Sequence, residues 1–149
     1  MKLVDGNETL VLVTGSSPAA TQKDRPLAVW LQEEIDRRGG GHGYRRAVLV
    51  ADARYVNTPA LHAHPTIAIG GPGSNDVVQH LTEVLPMVWA QDERSFVQMA
   101  THETGRQAAL WGMDAEGTRG AVEAFVREGM LDALLDRVWR LQTGNDQLS

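Results

Sequence analysis

The chain contains no cysteine, which removes disulfides, thiolate nucleophiles and cysteine-ligated zinc or iron–sulfur centres from the chemistry open to it. Aromatic residues are sparse, with four Trp, two Tyr and two Phe. Positive charge is short as well: 14 Lys and Arg stand against 19 Asp and Glu, a formal net charge of −5, which argues against a broad face for nucleic-acid phosphates. No apolar window approaches the length of a membrane span, and Asp5, Gly6, Asn7 and Glu8 fall where a secretory signal needs its apolar run. The expectation is a cytoplasmic protein with neither nucleic acid nor membrane as partner.

What is present fits one core. A chain of 149 residues, 42% hydrophobic and 22% charged, is long enough to bury a continuous interior. We expect a single domain over residues 1–149, with 142–149 as a loose tail.

The apolar, β-branched run Leu10 to Val13 stops at Gly15, Ser16, Ser17 and Pro18 and reads as a strand covered on both faces. Leu27, Trp30, Leu31 and Ile35 follow at helical spacing, with Asp24 as cap, Pro26 in the first turn and Arg37, Arg38 and Gly39 as stop signals. Ala47 to Val50 reads as a second strand and "TIAIGG" as a third. The intervening "VNTPALHAHP" has two prolines and little periodicity, and reads as a loop. From Asn75, Val77, Val78, Leu81, Val84 and Leu85 mark another helix, which Pro86 halts. Three apolar runs then follow, at 87–90, 95–100 and 107–113, on spacers that permit hairpins but no parallel crossovers. Two closing helical stripes flank Gly129, which either separates two helices or interrupts one. The predicted fold is one three-layer α/β domain, Rossmann-like or flavodoxin-like, with a mixed, mainly parallel sheet.

In open α/β sheets ligands bind outside the carboxyl ends of the parallel strands. That rule selects the segments 15–20, 52–57, 70–75 and 113–118, and within them Gly15, Ser16 and Ser17 after the first strand, Asp52 after the second, and Gly71, Gly73, Ser74 and Asn75 after the third. Glycines allow close backbone approach, and Ser74 or Asn75 can cap a helix whose free N–H groups favour an anion. The same residues also satisfy a plain tight turn, and the segment has neither a G-x-G-x-x-G nor a Gly-Lys-Ser/Thr pattern. Asp52 or Asp114 is placed to orient a sugar hydroxyl or a metal. The resulting expectation is a small anionic or nucleotide-like, phosphate-bearing ligand at this edge, with the cofactor and any reaction undefined.

Two resemblances bear on this. "VTGSSPAAT", with hydroxyls at Thr14, Ser16, Ser17 and Thr21, resembles the phosphate loop of flavodoxin-like proteins and flavin reductases. No aromatic residue is placed to stack on an isoalloxazine. "AIGGPGSN" together with "ALWGMDAEGTRGAVEAF" resembles segments of archaeal surface-layer-type domains, through Gly70, Gly71, Pro72 and Asn75, then Gly112, Thr118 and Ala121. That likeness implies a structural or self-associating module without catalysis, a homo-oligomer rather than an enzyme.

His62 and His64, two apart, would share one side of an extended segment and need a third ligand such as Asp52 or His102 to hold a metal. No third-ligand spacing is present, and solvated loop histidines account for the pair, so no metal is assigned. Asp92, Glu93, His102 and Glu103 fall at hairpin turns, where charge needs no function. Trp30, Trp89, Trp111 and Trp139 all lie in apolar periodic segments and read as core, with Trp89 and Trp111 as alternative interface residues.

Overall fold

A computed structural model describes residues 8–148, with side chains through Trp139. Strand β1 (Leu10–Thr14) is second from one edge of a six-stranded sheet, between the edge strand β2 (Ala47–Ala51) and β3 (Thr66–Ile69). The sheet continues through β6 (Gln107–Gly112), β5 (Ser95–Met99) and β4 (Met87–Gln91). The β2-β1-β3-β6 ladder is parallel, whereas β5 runs antiparallel to both β6 and β4. Five strands therefore point one way, and the loops after β1, β2, β3 and β6 converge on one edge, as the predicted mixed and mainly parallel sheet requires.

Alternation along β1 divides the core. Leu10 and Leu12 face helices α1 (Pro18–Gly39), α4 (Ala115–Arg127) and α5 (Met130–Leu148). Val11 and Val13 face α2 (Asp52–Asn57) and α3 (Asp76–Val84). All four side chains are fully buried, which explains why β1 reads as an unbroken apolar run. Three layers result.

Several sequence expectations are corrected. Helix α1 starts at Pro18, not after Asp24: Ser17 is its N-cap, accepting the Ala20 N–H at 3.1 Å, and Pro18 fills the first turn. Pro26 therefore lies inside the helix, where only one backbone bond is lost. The buried stripe is Ala20, Asp24, Ala28, Leu31 and Ile35, so Trp30, expected in the core, sits beside the stripe and is 38% exposed. The stretch read as a loop folds into short α2 and a 3₁₀ turn, Pro59–Ala63. Gly129, at φ +82°, separates α4 from α5. Helix α5 carries the backbone through residue 148; the side chains of the expected loose tail lie outside the described residues.

The β4–β5 hairpin turns through Asp92 and Glu93, at φ 56° and 54°, and is closed by the Arg94 N–H on the Gln91 carbonyl at 3.0 Å. Two consecutive positive φ values define a turn that favours glycine at its second central position. Glu93→Gly is expected to stabilise the domain by about 0.5–1 kcal/mol, read as a raised denaturation midpoint with unchanged slope.

Candidate functional site

The loops after β1 and β3 touch. A Cβ on Gly15 would stand 2.1 Å from the Ser74 carbonyl oxygen, so only glycine permits this approach. Asn75 fixes the junction. Its amide nitrogen donates to the Val13 carbonyl at 3.1 Å and the Ile69 carbonyl at 3.0 Å. Its oxygen accepts the Val77 and Val78 N–H groups at 2.9 and 3.2 Å. The side chain thus caps α3 and ties together the ends of β1 and β3, fully buried.

Asp52, buried at the start of α2, completes this arrangement. It accepts the Asp76 N–H at 2.9 Å and the Ala53 N–H at 2.8 Å, and also takes a short hydrogen bond from the Ser16 hydroxyl. The N-terminal donors of α3 at Asp76, Val77 and Val78 are consequently occupied by the protein's own oxygens. Ser74 bonds its hydroxyl to the Gly71 carbonyl at 3.2 Å, and Gly73 faces open space. The sequence-selected residues do come together, but Asp52, Asn75 and Ser17 spend their hydrogen bonds on helix starts and loop closure.

The concave part of this edge lies next to them. A cavity of about 190 Å³ opens between the first two turns of α1, the β3–α3 turn and the β6–α4 loop. Its walls include Ala19, Lys23, Asp24, Gly71, Ser74, Gly112, Asp114 and Ala115. Helix N-termini at α1 and α4 border it. The backbone N–H groups of Ala19, Ala115 and Glu116 make no hydrogen bond among the described residues. Asp114 caps α4 through the Gly117 N–H at 2.8 Å and pairs with Arg94 at 2.7 Å. The first of these contacts, then the second, holds its carboxyl below the usual range.

Asp24 is the residue the sequence reading misplaced. It is 5% exposed, makes no hydrogen bond or ion pair among the described residues, and lies against Gly70, where a Cβ would stand 2.7 Å from Oδ2. Gly70 sits at φ +123°, a second reason for glycine there. Burial pushes the Asp24 carboxyl up to about 6, with nearby Lys23 pulling the other way. The available signal was an aspartate in the apolar register Ala20, Asp24, Ala28, Leu31 of a helix, hidden once Asp24 was read as a cap.

The histidines do not gather. His62 bonds the Tyr55 carbonyl and His64 the Thr9 carbonyl, each at 2.8 Å. Both precede β3, so they lie toward the sheet edge opposite Asp52. No group of three or more His, Asp or Glu side chains among the described residues is placed to hold a metal ion. A larger cavity, about 300 Å³, runs between α2 and α3 beside Tyr55, His62 and His80. The Tyr55 hydroxyl is bonded to Thr66 and His62 Nε2 to the Tyr55 carbonyl.

No helix among the described residues is long and apolar enough to cross a membrane. No protein-family model and no curated protein sequence matches the chain.

Two outcomes follow from this geometry. Asn75→Ala strands two N–H groups and two carbonyls and is expected to cost about 2–4 kcal/mol, with Asn75→Asp no better because an oxygen then faces the Val13 and Ile69 carbonyls; chemical denaturation measures both. For Asp24, the folded-state value near 6 exceeds the ordinary 3.8, so the folded state holds its proton more tightly than the unfolded state. The associated stability is full below about pH 4 and is lost as pH rises through 6. Asp24→Asn is expected to raise the melting temperature at pH 7.5 and to leave it near wild type at pH 4.

Proposed function

We propose that this α/β domain binds a small anionic or nucleotide-like ligand at the carboxyl edge of its parallel strands, as a cytoplasmic protein. The observation that carries the reading is the cavity over the ends of β1, β3 and β6, bordered by the uncapped N–H groups of Ala19 and Ala115 and by Lys23. Backbone donors at helix starts, joined by one cation, favour an anion. Its location at the side of the sheet where strand order reverses about β1 is where open α/β domains place ligands. A cavity of about 190 Å³ corresponds to about six waters at about 30 Å³ each. That volume accepts a small metabolite or the phosphoryl end of a nucleotide rather than a whole dinucleotide. Gly15, Ser16, Ser17, Asp52, Gly73 and Asn75 shape the edge in this reading, while Gly71 and Ser74 line the cavity itself.

Titration with inorganic phosphate, ribose 5-phosphate and AMP, followed by amide chemical shifts, tests it. Shifts at Ala19 to Asp24, Gly71 to Ser74 and Gly112 to Glu116 are the expected result. Shifts confined to other surfaces, or none at millimolar ligand, overturn it.

A second reading, self-association, is favoured by one feature. Edge strand β4 carries no charged residue and its Met87 is 48% exposed, so apart from an irregularity between Met87 and Trp89 its outer ladder lacks the charges that deter pairing with another strand. The resemblance of the glycine turns at Gly70 to Asn75 and Gly112 to Ala121 to those of surface-layer-type domains points the same way. Light scattering decides: a concentration-independent monomer removes this reading, and a dimer lost in Trp89→Lys supports it.

A further inference from the structure

Asp24 is out of place in a site for a purely anionic ligand. The residue is 5% exposed, lines the cavity, keeps its carboxyl oxygens in reach of that space, and has no hydrogen-bond or salt-bridge partner among the described residues. Buried carboxylates elsewhere in this fold are paired: Asp52 accepts three donors, and Glu8 accepts Arg45 at 2.7 Å. Asp24 has no such protein partner, and its oxygens meet the cavity instead. The neighbouring charges do not repair it. Lys23 is on the next position of α1 and exposed, with no ion pair to Asp24 within 4 Å. Asp114, across the cavity, is itself negative and engaged with Arg94.

The cavity therefore presents one unmatched acid in its wall and, along its border, unmatched donors at Ala19 and Ala115 with the Lys23 ammonium. We propose that the ligand is a small zwitterion of amino-acid size, its ammonium group received by Asp24 and its carboxylate by the N-terminal turn of α4 and Lys23. This rests on the reading of the strand edge as a ligand site and specifies the ligand's second charge. An ammonium supplies both the positive charge and the donors that Asp24 lacks, which a hydroxyl supplies only in part. The volume matches: about six waters' worth of space suits an amino acid with a short side chain, and the apolar wall at Ala19 and Ala20 is suited to such a side chain. Gly70 keeps the carboxyl accessible, since any Cβ there would strike Oδ2. Burial holds the Asp24 carboxyl near 6, and an incoming cation restores its ionised form, so binding at pH 6 releases about half a proton per molecule to buffer.

The test is an amide-shift titration of the wild-type chain and of Asp24→Asn with glycine, alanine and serine, with the N-acetyl derivatives of the same amino acids, and with inorganic phosphate. The free amino acids are expected to shift Asp24, Gly70, Gly71 and Gly112 to Glu116 in the wild type, with at least tenfold weaker binding by the N-acetyl derivatives and by Asp24→Asn. Asp24→Asn removes an uncompensated buried charge, so its fold survives, and its dispersed spectrum verifies that in the same experiment. Equal binding of free and N-acetyl forms, or undiminished binding by Asp24→Asn, overturns the ammonium assignment. Shifts at these residues from phosphate alone, with amino acids inert, also overturn it while leaving the strand-edge reading intact. Silence from every probe at these residues overturns both.

Discussion

The side chain of Asn75 is the point on which this edge of the fold depends. Two strands ending side by side leave carbonyls pointing beyond the sheet, and a helix starting there leaves N–H groups without partners. One carboxamide, with two donors and one oxygen able to accept twice, answers all four needs. No other side chain of that length offers both functions, which is why neither alanine nor aspartate substitutes for it. The close contact of Gly15 with the Ser74 carbonyl follows from the same clamp. Asp52 then reaches from the next strand over to the Asp76 N–H, so β2, β1 and β3 are locked in register at their ends by two side chains.

That lock redistributes the chemistry of the edge. Four helices begin at this edge, and the N-termini of the three longer ones, α1, α3 and α4, are potential anion sites. At α3 the position is filled by Asn75 and Asp52, so the glycine-rich turn that looks most like a phosphate loop is the one whose donors are already spent. The unspent donors belong to α1 and α4, and the cavity lies between them. Turn composition and available donors are separate properties, and here they occur at different helices.

The sheet was legible in the sequence because its central strands are continuous apolar runs and its last three segments are too closely spaced for crossovers. The mainly parallel ladder and its antiparallel β5 follow from those two observations. The same residues, Gly15 to Ser17 and Gly70 to Asn75, were legible as neighbours from the carboxyl-edge rule. Asp24 was not. An aspartate followed by Arg25 and Pro26 has every local mark of a helix start, and only the tertiary position of Ser17 and Pro18 shows that the helix began earlier and that the aspartate faces inward. Trp30 was misplaced for the same reason, since moving the helix start did not alter the spacing but revealed that small residues, Ala20 and Ala28, carry the buried stripe. Whether an acid is paired is a three-dimensional property, and no spacing in the chain encodes it.

Strand order in space departs from strand order in the chain because β6 inserts between β3 and β5. Among the described residues, the β3–β6 ladder is the only strand pairing that joins the β1–β3 portion of the chain to the β4–β6 portion. The cavity straddles that seam, with α1 and the β3–α3 turn contributed by the first portion and the β6–α4 loop by the second. Anything seated there acts as a rivet across two lengths of polypeptide that meet late in sequence, and its occupancy is felt as cohesion between halves rather than as tightening of either one.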